Sequence, residues 1–472
     1  MRNSKLYSIL AHFDKYEQNR FRKYILSPYF NKDQTLIDLF EHLIAHVNER
    51  LDTEVDKEKL WQHLNIGKQY DDVRFRKYCS DLLKLVEGFL AQHHYEQNTL
   101  HQATYLMEAV GKKKMDKLYN STLKTVERLS EQQKFRPSSF YYYQYEIEKN
   151  YYELTQSEMK RTDKSNVENI ILNLDYFYLA EKLRLYCSVL SRQYVVSHEY
   201  QLLFIDEIIQ HIQKFGFEDI PAISVYYQIY LTQVESDNEA HYFKLKELLT
   251  RFGHVFPQKE AYVIYTYAMN YCIRRTNRGV QQFLKELFEL YKELIEKEII
   301  FTEAGLSPWD FKNIVQCALQ LGEYSWAEEF INTHSSKLPE NLRDNAVTYS
   351  LAQIYFYQKK HEKVISLLQT VEYEDFTYNL GSKSMLLATY YEMDELEPLY
   401  SLFESFRTYL NRHKDIPAQR RKNYSNLIKY TKKLTKIMPG DKKAVEHLKQ
   451  EIEVVKNVAS INWLKEKIGE LE

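Results

Sequence analysis

Glycine, proline and cysteine are all scarce: the 472 residues include 11 Gly, 9 Pro and 4 Cys. So little glycine excludes a collagen-like or linker-rich chain and argues against a loop that cradles phosphate by close backbone approach. The cysteines, Cys79, Cys187, Cys272 and Cys317, lie far apart with no C-x-x-C pair. That spacing argues against a disulfide framework and points to buried free thiols in a reducing compartment. Neither sign of charge is in excess, since 64 Lys and Arg face 66 Asp and Glu for a net −2. No global field therefore draws the chain to nucleic acid or to an anionic membrane. No stretch approaches the roughly 20 apolar residues of a membrane span. The opening Met1-Arg2-Asn3-Ser4-Lys5-Leu6-Tyr7 has no signal-peptide apolar core, so the expected location is the cytoplasm.

Reaction motifs are missing too. The chain has no P-loop, no G-x-G-x-x-G, no H-E-x-x-H and no G-x-S-x-G, so no enzyme activity and no cofactor are expected. His42 and His46 stand four apart, on one helical face as a metal pair would, but no further ligands follow nearby. His93-His94 with His101 reads the same way, and no metal is expected at either place.

What the chain does have is aromatic residues and helical periodicity. Its 41 Tyr and 24 Phe are spread along almost the whole length. A tyrosine fills a helix interface with its ring and keeps its hydroxyl at the wet edge, which suits a thin stack of helices without a deep dry core. Near the start, Asp14 and Glu17 predict a capping box for a helix that carries Phe21, Tyr24 and Ile25 inward and stops at Ser27-Pro28. Asn31 or Asp33 caps the next, with Leu36, Phe40, Leu43, Ile44 and Val47 on one face. The pentapeptide Arg-Phe-Arg-Lys-Tyr occurs at 20–24 and again at 74–78.

Further on, helix pairs follow one another. Pro221 and Pro257 sit at predicted helix starts, with helices over Ala222–Val234 and Ala240–Phe252 between them. A second pair is predicted over Ala261–Ile273 and Gly279–Glu298, joined by Arg274–Arg278. From 311 to 404 the spacing is that of a helix-turn-helix repeat. Phe311, Ile314, Val315, Ala318, Gly322, Ala327, Ile331 and Pro339 set a pattern that Leu351, Ala352, Tyr355, Val364 and Leu368 repeat about 37 residues later. Leu387, Ala388, Tyr391 and Tyr400 repeat it again after 36. Lys359 and Glu395 replace the glycine, and Phe376 takes the place of the proline. These landmarks are tetratricopeptide-like, and the expected fold is all-α: an irregular TPR-like α-solenoid preceded by a small N-terminal helical domain. The boundaries read as 1–130 for the N-terminal region, 131–440 for the repeats and 441–472 for one terminal capping helix.

Two features fit nucleic acid. Residues 56–90 read as a helix, a turn over Asn65 to Tyr70, and a helix beginning near Asp71 or Asp72. Its apolar stripe is Phe75, Tyr78, Cys79, Leu82, Val86 and Phe89, and Arg74, Arg76, Lys77 and Lys84 are available outside it, as a helix-turn-helix would require. The turn is longer than usual and no β-wing follows. The second feature is the basic stretch 412–443, with eleven Lys or Arg against Asp415 and Asp441. Arg420, Arg421 and Lys422 lie in it beside Tyr424 and Tyr430, residue types that engage phosphates and stack bases.

Phe21-Arg22-Lys23-Tyr24-Ile25-Leu26-Ser27-Pro28-Tyr29-Phe30-Asn31-Lys32, with Tyr70-Asp71-Asp72, Leu82-Leu83-Lys84-Leu85 and the late Trp463-Leu464, resembles the signature of uncharacterised bacterial tetratricopeptide-like proteins. The resemblance implies the fold and brings no activity with it. The functional expectation is a protein–protein interaction scaffold or adaptor that holds a peptide or helix of another protein on its repeat surface. The alternative is a transcriptional regulator, with DNA bound by the N-terminal region and the repeats acting as a sensor.

Overall fold

The computed structural model describes residues 3–49, 56–64, 69–156, 164–193, 200–368, 376–455 and 457–471. These residues form 23 α-helices and no strand. Contacts group them into two compact units, Met1–Glu181 and Lys182–Glu472. The division falls inside a helix, well beyond the change of character read at 130/131.

The first unit opens with α1 (Lys5–His12), α2 (Lys15–Leu26), α3 (Gln34–Asn48), α4 (Lys57–Leu64) and α5 (Asp72–Gln97). The predicted capping box is present: the Glu17 amide donates to Asp14 at 2.8 Å, and Glu17 accepts from the Asp14 amide at 3.0 Å. Asp33 caps α3 and Asp71 caps α5. Both copies of the pentapeptide feed one core, since Phe21 and Phe75 are buried in the same cluster with Phe40, Trp61 and Phe89. The unit continues through α6 (Thr99–Lys112), α7 (Asp116–Glu131), α8 (Ser138–Thr155) and the first half of α9 (Val167–Gln193).

In the second unit, helices alternate along an array of pairs: α11 (Pro221–Val234) with α12 (Glu239–Phe252), and α13 (Gln258–Asn277) with α14 (Gln282–Glu296). Then come α15 (Pro308–Gln320) with α16 (Tyr324–His334), α17 (Glu340–Tyr357) with α18 (His361–Leu368), and α19 (Phe376–Glu392) with α20 (Leu396–Arg412). The second helix of a pair also packs on the first helix of the next, as in α14 on α15, α16 on α17 and α18 on α19. This is the packing of an all-α solenoid-like stack. α10 (Ile205–Phe215) precedes the pairs, and α21 (Ala418–Leu434), α22 (Lys442–Val455) and α23 (Ile461–Gly469) end them.

One turn closes the first helix of successive pairs. Gly279, Gly322, Lys359 and Asp394 each take a left-handed φ, of +93°, +80°, +57° and +57°. The next residue's amide then reaches back five positions, as from Glu323 to Ala318 and from Lys360 to Tyr355. Lys359 thus fills the glycine position as expected. In the following pair it is Asp394, not Glu395, that does so.

The tyrosines carry the joints between helices. Tyr226 on α11 donates to Glu260 on α13 at 2.9 Å, and Tyr242 on α12 to Glu286 on α14 at 3.0 Å. Tyr262 on α13 reaches Asp310 on α15 at 2.7 Å, and Tyr265 reaches Glu293 on α14 at 2.7 Å. The rings of Tyr226, Tyr242 and Tyr265 are buried and that of Tyr262 is half-buried, and each hydroxyl ends on a carboxylate across the interface, which satisfies the polar group with a charge-assisted bond.

Two predicted boundaries differ. The joint expected at Arg274–Arg278 is helical through Asn277, because Arg275 pairs with Asp237 and Glu239 and holds the last turn of α13 in place. The single terminal helix expected over 441–472 is two. The break is held against α21, where the Ala459 amide donates to the Asn423 carbonyl and Asn426 to the Asn457 carbonyl. Ser460 then turns the chain with φ +51°, and α23 returns to α19. There the Trp463 indole donates to Glu392 at 2.8 Å and Lys467 lies 3.5 Å from the same carboxylate.

Candidate functional site

The first helices of the last repeats, α15, α17, α19 and α21, contribute side chains to one groove of about 470 Å³. Its far wall comes from Ala459, Ser460 and Trp463 at the start of α23. Successive pairs present the same helix to one side, so residues about 36 positions apart become neighbours. Gln316 on α15 and Gln353 on α17 are such residues, and both line the groove with Thr377, Ser384, Asn423 and the rings of Phe356, Tyr357 and Tyr424. Gly381 on α19 shapes the floor: a methyl group there would overlap the Tyr349 hydroxyl, so the glycine is what lets this ring lie across the interface.

Two of the side chains that line the groove are cationic. Among the described residues its lining holds Lys312 and Arg420 and no carboxylate. Lys312 is 8% exposed, and its ammonium lies 5.3 Å from the ring centres of Trp309 and Tyr378 and 5.6 Å from that of Tyr349. Three ring faces stabilise the cation where water cannot. Arg420 stands exposed on the rim, near enough to Tyr424 to oppose the upward push that burial gives that phenol.

The groove also holds polar atoms without partners. Gln353 Oε1 and Ser384 Oγ make no hydrogen bond, although their residues are only 7% and 9% exposed. Thr389, one turn beyond Ser384, shows the ordinary solution by donating back to the Met385 carbonyl at 2.8 Å. The sequence reading missed Gln353, Ser384 and Lys312, which stand among apolar neighbours as if they were helix interior. The spacing of Gln353 and Gln316 at 37 residues, one repeat, was the available signal.

The residues proposed for nucleic acid are scattered by helix geometry. Consecutive helical residues point about 100° apart, so Arg420 faces the groove while Arg421 donates to the carbonyls of Lys414 and Ile416 at 3.0 and 2.8 Å. Lys422 is exposed. Arg343 does for Ser336 and Leu338 what Arg421 does for its loop, which marks Arg421 as part of the repeat. Farther along α21, Lys433 binds Glu451 and Lys432 lies 3.7 Å from Glu404. On α5, Arg74, Arg76, Lys77 and Lys84 are all exposed. Arg74 donates to Tyr78, Arg76 pairs with Asp72 at 2.6 Å and Lys84 with Asp81 at 3.2 Å. Residues 65–68 of the expected turn lie outside the described residues.

The packing landmarks fall where small and apolar residues are needed. Ala327, Ala352 and Ala388 are buried at helix crossings, Gly322 makes the turn, and Pro339 is the N-cap of α17. Tyr355 and Tyr391 are half-buried against the same cluster.

Burial lifts the thiols of Cys79, Cys187, Cys272 and Cys317 above their ordinary range, which makes them poor nucleophiles. Three are buried and Cys79 is half-buried. His46 Nδ1 bonds the Tyr7 hydroxyl at 2.9 Å, and the His42 ring packs on His63. Among the described residues no three candidate ligands converge on one point, and no helix is long and apolar enough to cross a membrane. Comparison with family models, with curated proteins and with solved structures returns no match.

Proposed function

We propose that the second unit is a protein–protein interaction module of tetratricopeptide type, a cytoplasmic scaffold or adaptor that holds an extended segment of a partner protein in the groove of α15, α17, α19 and α21. The observation that carries this reading is the pair of buried, unpartnered polar atoms, Gln353 Oε1 and Ser384 Oγ. Each such atom costs about 1–3 kcal/mol when left unmet, and a bound backbone supplies the missing partners. Gln353 Oε1 accepts only, so it calls for an N–H. An extended peptide has N–H groups to give, whereas a bound helix uses its own internally, its first turn apart. Phosphate oxygens offer no donor, and α21 spreads its cations around its circumference, which favours peptide over nucleic acid here.

The test is a photo-crosslinking residue placed at Tyr357 on the groove and, as control, at Val454, which is 83% exposed on α22. Crosslinks from Tyr357 in native lysate should map, by mass spectrometry, to one short segment of a partner, unchanged by nuclease. Equal adducts from both positions, or adducts lost with nuclease, would count against it.

A further inference from the structure

The spacing of the groove also bears on the conformation and composition of the segment. Gln316 and Gln353 line it from successive first helices, one repeat apart. α15 packs directly on α17, and α17 on α19, and helices in direct contact stand about 8–10 Å apart. A segment laid across them meets the next helix after that distance. A β-strand returns a group to the same side about every 6.7 Å, and at about 10 Å it presents the opposite side. A polyproline II chain returns the same side after three residues, about every 9 Å, so it stays in step with the helices. Its backbone makes no internal hydrogen bonds, which leaves an N–H for Gln353 Oε1. The walls are a second, independent observation. Phe356 and Tyr357 on α17, Tyr424 on α21 and Trp463 on α23 line the same groove, and Tyr357 is 39% exposed. Proline rings dock on such aromatic walls and lose little freedom in doing so.

We propose that the groove takes a proline-rich segment in the polyproline II conformation, with its prolines against the aromatic walls and one non-proline amide per turn donated to Gln353 and, a repeat earlier, to Gln316. This rests on the peptide-binding reading and adds what the segment is made of. Proline has no N–H, so it fits where the segment faces the rings and is excluded where it faces the glutamines. The expected pattern is therefore a proline at every third residue, with a residue that carries an N–H beside it.

The test uses two pools of fluorescent nonapeptides, titrated with the full chain and read by anisotropy. Both are degenerate, without proline, at six positions; the second, fifth and eighth are proline in one pool and alanine in the other. The proline pool should bind roughly tenfold tighter, because each proline removes conformational freedom from the free peptide. Tyr357→Ala should remove most of that advantage, and Val454→Ala on α22 should leave it in place. The tightest member is then remade with one backbone N-methyl group at a time. Binding should fall roughly tenfold or more at two positions three residues apart, where the donated amides lie. Losses two residues apart would overturn the polyproline II assignment in favour of a strand. Equal binding of the two pools would overturn the selection for proline and leave the peptide reading standing. A preference that survives Tyr357→Ala would overturn the assignment to this groove. Binding to neither pool would overturn the proposal, and the peptide reading then stands or falls with the crosslink from position 357.

Discussion

Alkaline pH should unfold the second unit through its tyrosines. Tyr226, Tyr242, Tyr265 and Tyr291 are buried, and burial, reinforced by nearby carboxylates, holds each phenol well above its ordinary range. In the unfolded chain the same groups ionise near pH 10. A raised folded value means that the folded chain keeps the proton longer. The stability it represents is fully present below about pH 10 and is lost as pH rises beyond it. Each such phenol removes about 1.4 kcal/mol per pH unit, so these four together remove roughly 5 kcal/mol per unit. Against a typical total of about 5–15 kcal/mol, cooperative unfolding is expected between about pH 11 and 13. Tyrosinate absorbance and helical circular dichroism, followed together, should show an early phase from exposed tyrosines with no loss of helix, then a second phase in which both signals change at one midpoint. Tyr226→Phe supplies the internal check. It should lower stability at pH 7 by about 1–3 kcal/mol through the lost bond to Glu260, yet make the alkaline slope shallower by about 1.4 kcal/mol per unit. Complete titration near pH 10 with the helical signal intact would refute the reasoning, as would an unchanged slope in the variant.

Other substitutions test separate joints. Gly305 has φ +90°, and a methyl group there would overlap the Lys337 carbonyl oxygen that bonds the Leu306 amide. Gly305→Ala should therefore cost about 3 kcal/mol or more in urea unfolding, whereas Gly216→Ala, with φ +66° and nothing within 4 Å, should cost about 1. Glu392→Ala removes the acceptor of Trp463 and a partner of Lys467, which is 5% exposed. It should destabilise by about 3 kcal/mol and speed amide exchange in α23 ahead of the rest. Arg421→Ala should cost about 1–2 kcal/mol through two lost carbonyl bonds, while Lys422→Ala stays within about 0.5; equal effects would show that the loop before α21 does not depend on the guanidinium.

Local rules carried the sequence reading furthest. Asp14 and Glu17 announce a helix start because the capping box involves only residues three apart. Pro221 begins α11 because its missing amide costs nothing at that position. The tyrosine content indicated helix interfaces with wet edges, which is how Tyr226 and Tyr265 are used. What stayed hidden depends on partners distant in sequence. The break before α23 is fixed by Asn423 and Asn426, more than thirty residues back. Asp394, not Glu395, takes the left-handed turn, a one-residue choice that repeat spacing does not resolve. The groove was hidden for the same reason: Lys312, Gln353 and Gly381 belong to three helices, and only their stacking makes one site of them.

Amide hydrogen exchange of the full chain, with and without the partner segment that crosslinks to position 357, tests the central claim most directly. The account predicts slower exchange concentrated in 349–357, 381–388 and 420–424, the stretches of α17, α19 and α21 that line the groove. Protection confined to α5, or spread evenly over both units, would contradict it.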